Sequence, residues 1–133
     1  MKKISGDNPS DCLFCQWVGQ DKAVAEGGTV AAFRDGFPVT PGHLLIVPKR
    51  HVADGLALNR QEIRDSEALI RRLVEQIRRD DAGVTGFNIG INLGRSAGQT
   101  VMHAHIHLIP RRDGDTDDPK GGVRGVIQGK RGY

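Results

Sequence analysis

At 133 residues, with 38% apolar and 26% charged side chains, the chain has the size and composition of one ordinary globular domain, long enough to bury a core without disulfide staples. Its net charge of +3 comes from nineteen basic and sixteen acidic residues interleaved along the sequence, which makes no nucleic-acid arm and suits small polyanions. No stretch approaches the roughly 18 consecutive apolar residues of a membrane span, and no apolar signal core follows Lys2 and Lys3, so a cytoplasmic protein binding neither nucleic acid nor membrane is expected.

Hydrophobic patterning predicts strands over residues 29–33 and 43–47, the second bounded by Pro41-Gly42 and Pro48. Over 59–81, Ile63, Leu69, Ile70, Leu73, Val74 and Ile77 recur at helical spacing among charges of both signs, giving one long amphipathic helix closed by Gly83. Its mixed charges read as a solvated face rather than a binding surface. Two more strands follow over 87–92 and 101–109. Strand pairs flanking an inserted helix give an α+β fold, with a mostly antiparallel sheet packed on the helix. The whole chain reads as one domain, its core about 12–111, with 112–133 an extended arm that lacks periodicity.

Three of the five histidines are His103, His105 and His107. In a strand, that spacing sends all three to one face and Ala104, Ile106 and Leu108 to the other, with successive histidines about 6.5–7 Å apart, too far for ring contact but close enough to line one site. One strand histidine is usually a satisfied polar residue, whereas three on one face favour function. Just upstream, Ala97-Gly98-Gln99-Thr100 offers a turn whose N–H groups suit phosphate oxygens. Alternating strand histidines also suit a catalytic zinc with water as nucleophile. The two cysteines, Cys12 and Cys15, have the C-x2-C spacing of a metal pair, and sulfur with imidazole favours zinc. A redox pair and two inert buried thiols are the competing readings.

The run His103-Ala104-His105-Ile106-His107-Leu108-Ile109 resembles the signature of the histidine triad superfamily of nucleotide hydrolases and transferases. The resemblance extends through Phe33-Arg34-Asp35, Thr40 to His51 and Asn92 to Arg111. It implies a homodimer with a shared antiparallel sheet, about five strands per chain. It further implies cleavage at the α-phosphate of a dinucleoside polyphosphate or a nucleoside phosphoramidate, releasing a nucleoside monophosphate.

By the same resemblance His105 is the nucleophile, which suits a neutral imidazole that can attack phosphorus and leave again. His107 and His43 lie beside the phosphate, with Asn92, Gln99 and Thr100 as polar residues around it. Asp35 accepts the ribose hydroxyls, Phe14, Trp17 and Phe33 form the base pocket, and Gly36 stands where many relatives carry a branched apolar residue. The family pattern completes the cysteine pair with His51 and His103. That closed Cys2His2 set implies one structural zinc per chain and no catalytic metal. The segment 121–127 resembles a tail of bacterial members that approaches the partner subunit or its active site, where Arg124 can meet phosphate. A nucleotide-binding protein with little turnover is the reading from another class.

Overall fold

The computed structural model describes residues 8–132, so Lys2, Lys3 and Tyr133 lie outside the described residues. In chain order the elements are α1 (Leu13–Gly19), β1 (Ala25–Gly27), β2 (Val30–Arg34), β3 (Leu44–Pro48), α2 (Arg60–Asp80), β4 (Val84–Gly90) and β5 (Ile106–Arg112). The five strands form one sheet in the order β1-β2-β3-β5-β4, antiparallel throughout, with β4 at one edge.

The central strands read as continuous apolar runs because both of their faces are covered. Val30, Ala32, Leu44, Ile46 and Leu108 point to one face, where Leu69 and Leu73 of α2 close the core. Ala31, Phe33, Leu45 and Val47 point to the other and meet Cys12 and Phe14 of the N-terminal segment. His107 pairs in register with Leu45 and so belongs to this second face, away from the long helix.

Helix α2 starts at a capping box: the Asn59 side chain accepts from the Glu62 N–H, and the Glu62 carboxylate accepts from the Asn59 N–H. Ile70, Val74 and Ile77 pack beside Leu69 and Leu73 as the periodicity predicts, whereas Ile63 remains half exposed. The expected closure by Gly83 is replaced by Asp81, which caps the helix and whose carboxylate accepts the Gly83 N–H at 2.9 Å.

Three expectations are corrected. The short elements α1 and β1 escape the pattern because neither is long enough to carry a period. The last strand begins at Ile106, since the Ala104 N–H donates to the Val52 carbonyl and the His103 carbonyl is taken by a histidine ring. The tail is not extended. Arg111 makes a bidentate pair with Asp115 and also reaches Asn88, and after a 3-10 turn at Gly122–Val126 the chain folds back on itself. There Gly121, at φ +90°, lies so close to the Arg131 backbone that no side chain would fit.

Glu62 is almost fully buried, and its carboxylate accepts from Arg50 at 2.8 and 3.1 Å. Those hydrogen bonds hold its carboxyl well below the ordinary glutamate range. The stabilisation is therefore complete above the ordinary value and is lost as pH falls through the depressed folded value. Glu62→Gln is expected to lower stability at pH 7 by about 2 kcal/mol. It should also flatten the loss of stability below the ordinary value of 4.5, as read by urea denaturation across pH 3.5–7.

Candidate active site and metal cluster

The ends of β2, β3 and β5 set three polar groups at one place. The Asp35 N–H donates to the His43 carbonyl at 3.1 Å, and Gly42, at φ +89°, makes the turn that delivers His43 into β3. His107 enters from the neighbouring strand. The Asp35 Oδ2 lies 3.4 Å from His43 Nε2 and 4.0 Å from His107 Nδ1. Asp35, His43, His105 and His107 line a cleft of about 390 Å³ together with Phe14, Trp17, Asn92 and Thr100.

Backbone groups decide which nitrogen of each imidazole carries the proton. A neutral ring has one N–H and one lone pair, so a partner that only accepts or only donates fixes both. The His103 carbonyl can only accept, so His105 donates from Nδ1 at 2.8 Å and its Nε2 lone pair stays bare. The Val39 N–H can only donate, so His43 accepts at Nδ1 at 3.0 Å and carries its proton on Nε2. That proton faces His107 Nδ1 at 2.9 Å, which leaves His107 with its own proton on Nε2. Burial pushes His43, His105 and His107 below the ordinary imidazole value and so favours these neutral forms, while Asp35 acts against it at all three.

His103 is not part of the row. It is fully buried, donates from Nε2 to the Pro48 carbonyl at 2.7 Å and turns its bare Nδ1 toward Cys12 Sγ at 3.3 Å and Cys15 Sγ at 3.5 Å. His51 Nδ1 stands 3.3 Å from Cys15 Sγ. All four donor atoms lie within 4.8 Å of one another. A tetrahedral zinc with Zn–S near 2.3 Å and Zn–N near 2.0–2.1 Å has S···N edges of roughly 3.6 Å, so the donor set fits. The Cys15 N–H donates to Cys12 Sγ at 3.4 Å, which suits a thiolate. Burial pushes the Cys15 thiol up to about 11, so metal binding would displace its proton.

The reading in which His103, His105 and His107 share a catalytic zinc is overturned by this geometry, because His103 faces the cysteines and His105 spends Nδ1 on a carbonyl. Asp35, His43 and His107 also converge. His43 presents an N–H there rather than a lone pair, which disfavours a cation. The row differs from expectation in spacing as well: the His105 and His107 rings are in edge contact at 5.2 Å, because His105 precedes the strand.

Two expected cleft residues lie elsewhere. Phe33 is buried behind Trp17, with ring centroids 5.6 Å apart. Gln99 is also buried: its amide accepts from the Gly94 N–H and donates to the carbonyls of Ala53 and Val101, which ties the loop before the histidines to the rest of the chain. Val123, Val126 and Arg131 of the tail line a second cleft together with His43 and His107. Among the groups missed from sequence, the Val39 N–H and the Pro48 and His103 carbonyls are backbone atoms and leave no residue signal. A larger groove of about 790 Å³ runs along α2 between Ile63, Ile70, Val74, Ile89 and Ile91, with charges at its rim and none of the histidines.

The sequence profile of the HIT domain matches residues 18–114. The chain belongs to the HIT domain family. It is similar to an uncharacterised HIT-like protein of Saccharolobus solfataricus, 34% identical over 92% of this chain and 89% of that one. A bis(5'-nucleosyl)-tetraphosphatase (asymmetrical) of Schizosaccharomyces pombe is 40% identical over 64% of this chain and 46% of its own length. Among solved structures, a zinc-bound histidine triad family protein from Mycobacterium smegmatis superposes with a TM-score of 0.74 at 33% identity, over 82% of this chain and 81% of that one. The five-stranded antiparallel sheet and its helices are thus those of a HIT fold, and Cys12, Cys15, His51 and His103 form a cluster able to bind a metal. Among the described residues of this HIT protein, no helix is long and apolar enough to cross a membrane.

Replacing Gln99 by Leu would leave three backbone groups unpaired, and is expected to cost on the order of 2–3 kcal/mol in urea denaturation.

Proposed function

We propose that the chain is a nucleotide hydrolase or nucleotidyl transferase that cleaves at the α-phosphate of a dinucleoside polyphosphate or a nucleoside phosphoramidate. The observation that carries this reading is the bare Nε2 of His105, held neutral and aimed by the bond from Nδ1 to the His103 carbonyl in a cleft next to Asp35. The described activity of the fission yeast relative supports the substrate class.

In the proposed reaction His105 Nε2 attacks the α-phosphorus, forming a P–N bond as the bond to the leaving group breaks. His107, with its proton on Nε2, donates to a non-bridging oxygen and stabilises the charge that develops there. His43 keeps His107 in that tautomer. Water, or an acceptor hydroxyl or amine, then attacks the same phosphorus and loses its proton to solvent, the P–N bond to His105 breaks, and His105 departs neutral as the nucleoside monophosphate, its ester or its amidate forms. Asp35 accepts the ribose hydroxyls, Trp17 stacks the base, and Asn92 and Thr100 bond the phosphate. Gly36, with open space where a side chain would stand, leaves the nucleoside end of the cleft wide, which suits either purine.

The group at Cys12, Cys15, His51 and His103 is assigned one structural zinc, which cross-links the N-terminal segment to the loop before β5 and supplies no catalytic water. Such a pair of metal-ready thiols suits the reducing cytoplasm. His105→Ala is expected to lower release of AMP from diadenosine tetraphosphate and from an adenosine phosphoramidate by about 10⁴-fold or more, with bound zinc unchanged at about one per chain. Chelation too brief to strip the closed Cys2His2 site, with zinc content checked at about one per chain, should spare most of the native rate. Tight AMP binding without turnover would favour a nucleotide-binding role instead.

A second copy of the chain is proposed to cover β4, an edge strand whose unpaired backbone lies beside the half-exposed Ile89 and Ile91 and the groove along α2. Sedimentation equilibrium is expected to give a dimer that Ile91→Lys dissociates. A native monomer at micromolar concentration would rule the assembly out.

A further inference from the structure

Besides its edge contact with His107, His105 makes two contacts that aim its ring, and both are built from the metal cluster. One is the bond from Nδ1 to the carbonyl of His103, whose own ring turns its bare Nδ1 toward the cysteines. The other is Phe14, which stands between Cys12 and Cys15 in the chain and meets the His105 ring edge-on at 4.9 Å and 76°. The same phenyl ring meets the His103 ring at 5.9 Å and 79°, and Trp17 backs it at 5.3 Å. Phe14 is only 3% exposed, so most of its surface is spent on these neighbours rather than on the cleft.

The segment carrying Phe14 packs on the sheet through Cys12, Phe14 and Trp17, and the donor cluster joins it to His51 and His103. Helix α1 is seven residues long, well short of what is stable alone. Four donor atoms that face one another within 4.8 Å gain strong bonds from a cation and only weak S–H contacts from each other. We infer that a cation held by Cys12, Cys15, His51 and His103 orients the His105 imidazole through the Phe14 ring and the His103 carbonyl, with Phe14 acting as a positioning residue rather than as a wall for the base. The inference rests on the nucleotidyl-histidine reading above. Under it the cation affects the rate from a distance: it takes no part in bond making, and its loss lets the ring swing away from the line of attack, which lowers kcat more than it raises KM.

The test uses the full chain with its imidazole nitrogens labelled with ¹⁵N, titrated with Zn²⁺ after metal removal. In the zinc-loaded protein His105 is expected to show a single tautomer protonated at Nδ1, and in the metal-free protein an exchanging mixture. Phe14→Leu keeps all four donors and the apolar volume. It is expected to retain about one zinc per chain, to broaden the His105 signals, and to lower kcat by about 10–100-fold. KM for adenosine and guanosine substrates should stay within about a factor of two of the native value. An unchanged His105 spectrum on metal removal, in protein of native far-UV circular dichroism, overturns the inference. So does a Phe14→Leu variant with native kcat, or one whose KM rises for one base alone. If the metal-free protein loses its fold, the zinc-loaded Phe14→Leu variant carries the test. Native protein that never forms a nucleotidyl-histidine would defeat the reaction proposed above, while the spectra would still decide the coupling.

Discussion

A neutral imidazole has one proton to give and one lone pair to offer, and this constraint organises the structure around residues 103–107. The chain uses fixed backbone groups to decide the matter: the Pro48 carbonyl for His103, the His103 carbonyl for His105, and the Val39 N–H for His43 and, through it, His107. Because backbone groups cannot change their own protonation, each tautomer holds as long as its ring stays against its backbone partner. Burial reinforces it by disfavouring the charged form of each ring. The bare nitrogens therefore face two different places, the cysteines in one case and the cleft in the other.

The sheet separates support from chemistry. Helix α2 covers one face with Leu69 and Leu73, and its start is tied through buried Glu62 to Arg50, the neighbour of His51. The other face carries Ala31, Phe33, Leu45 and Val47 beneath the N-terminal segment, and His107 continues that face to the cleft. The β1–β2 turn is fixed to α2 as well, since Asp65 accepts from both the N–H and the hydroxyl of Thr29. The long helix thus holds the sheet from behind and touches none of the cleft's polar groups.

Much of this was legible in the sequence. The apolar runs of β2 and β3 and the period of α2 are large, repeated signals, and the spacing of the triad and the cysteine pair led to the groups that converge. What escaped did so for physical reasons. Period two holds only inside a strand, and β5 starts too late to include His103, so the row divides between two sites. Gln99 has the residue type of a ligand contact, yet it is spent inside the protein on backbone carbonyls, whereas Phe14 both lines the cleft and packs on histidine rings. The groups that set the tautomers belong to the main chain, where residue identity carries no information. The tail folds back through an Arg111–Asp115 pair and a glycine conformation that no hydrophobic pattern reveals.

Under the proposed function, five consecutive residues, from His103 to His107, serve as a metal ligand, a backbone anchor, a nucleophile, a core contact and a phosphate donor in turn. Adding or removing one residue within that run would hand each duty to its neighbour and put the wrong atom in every place at once. Spacing here matters as much as side-chain identity, and an insertion is better tolerated in exposed turns such as 113–118. A search for distant relatives of this chain should accordingly penalise any gap between 103 and 107.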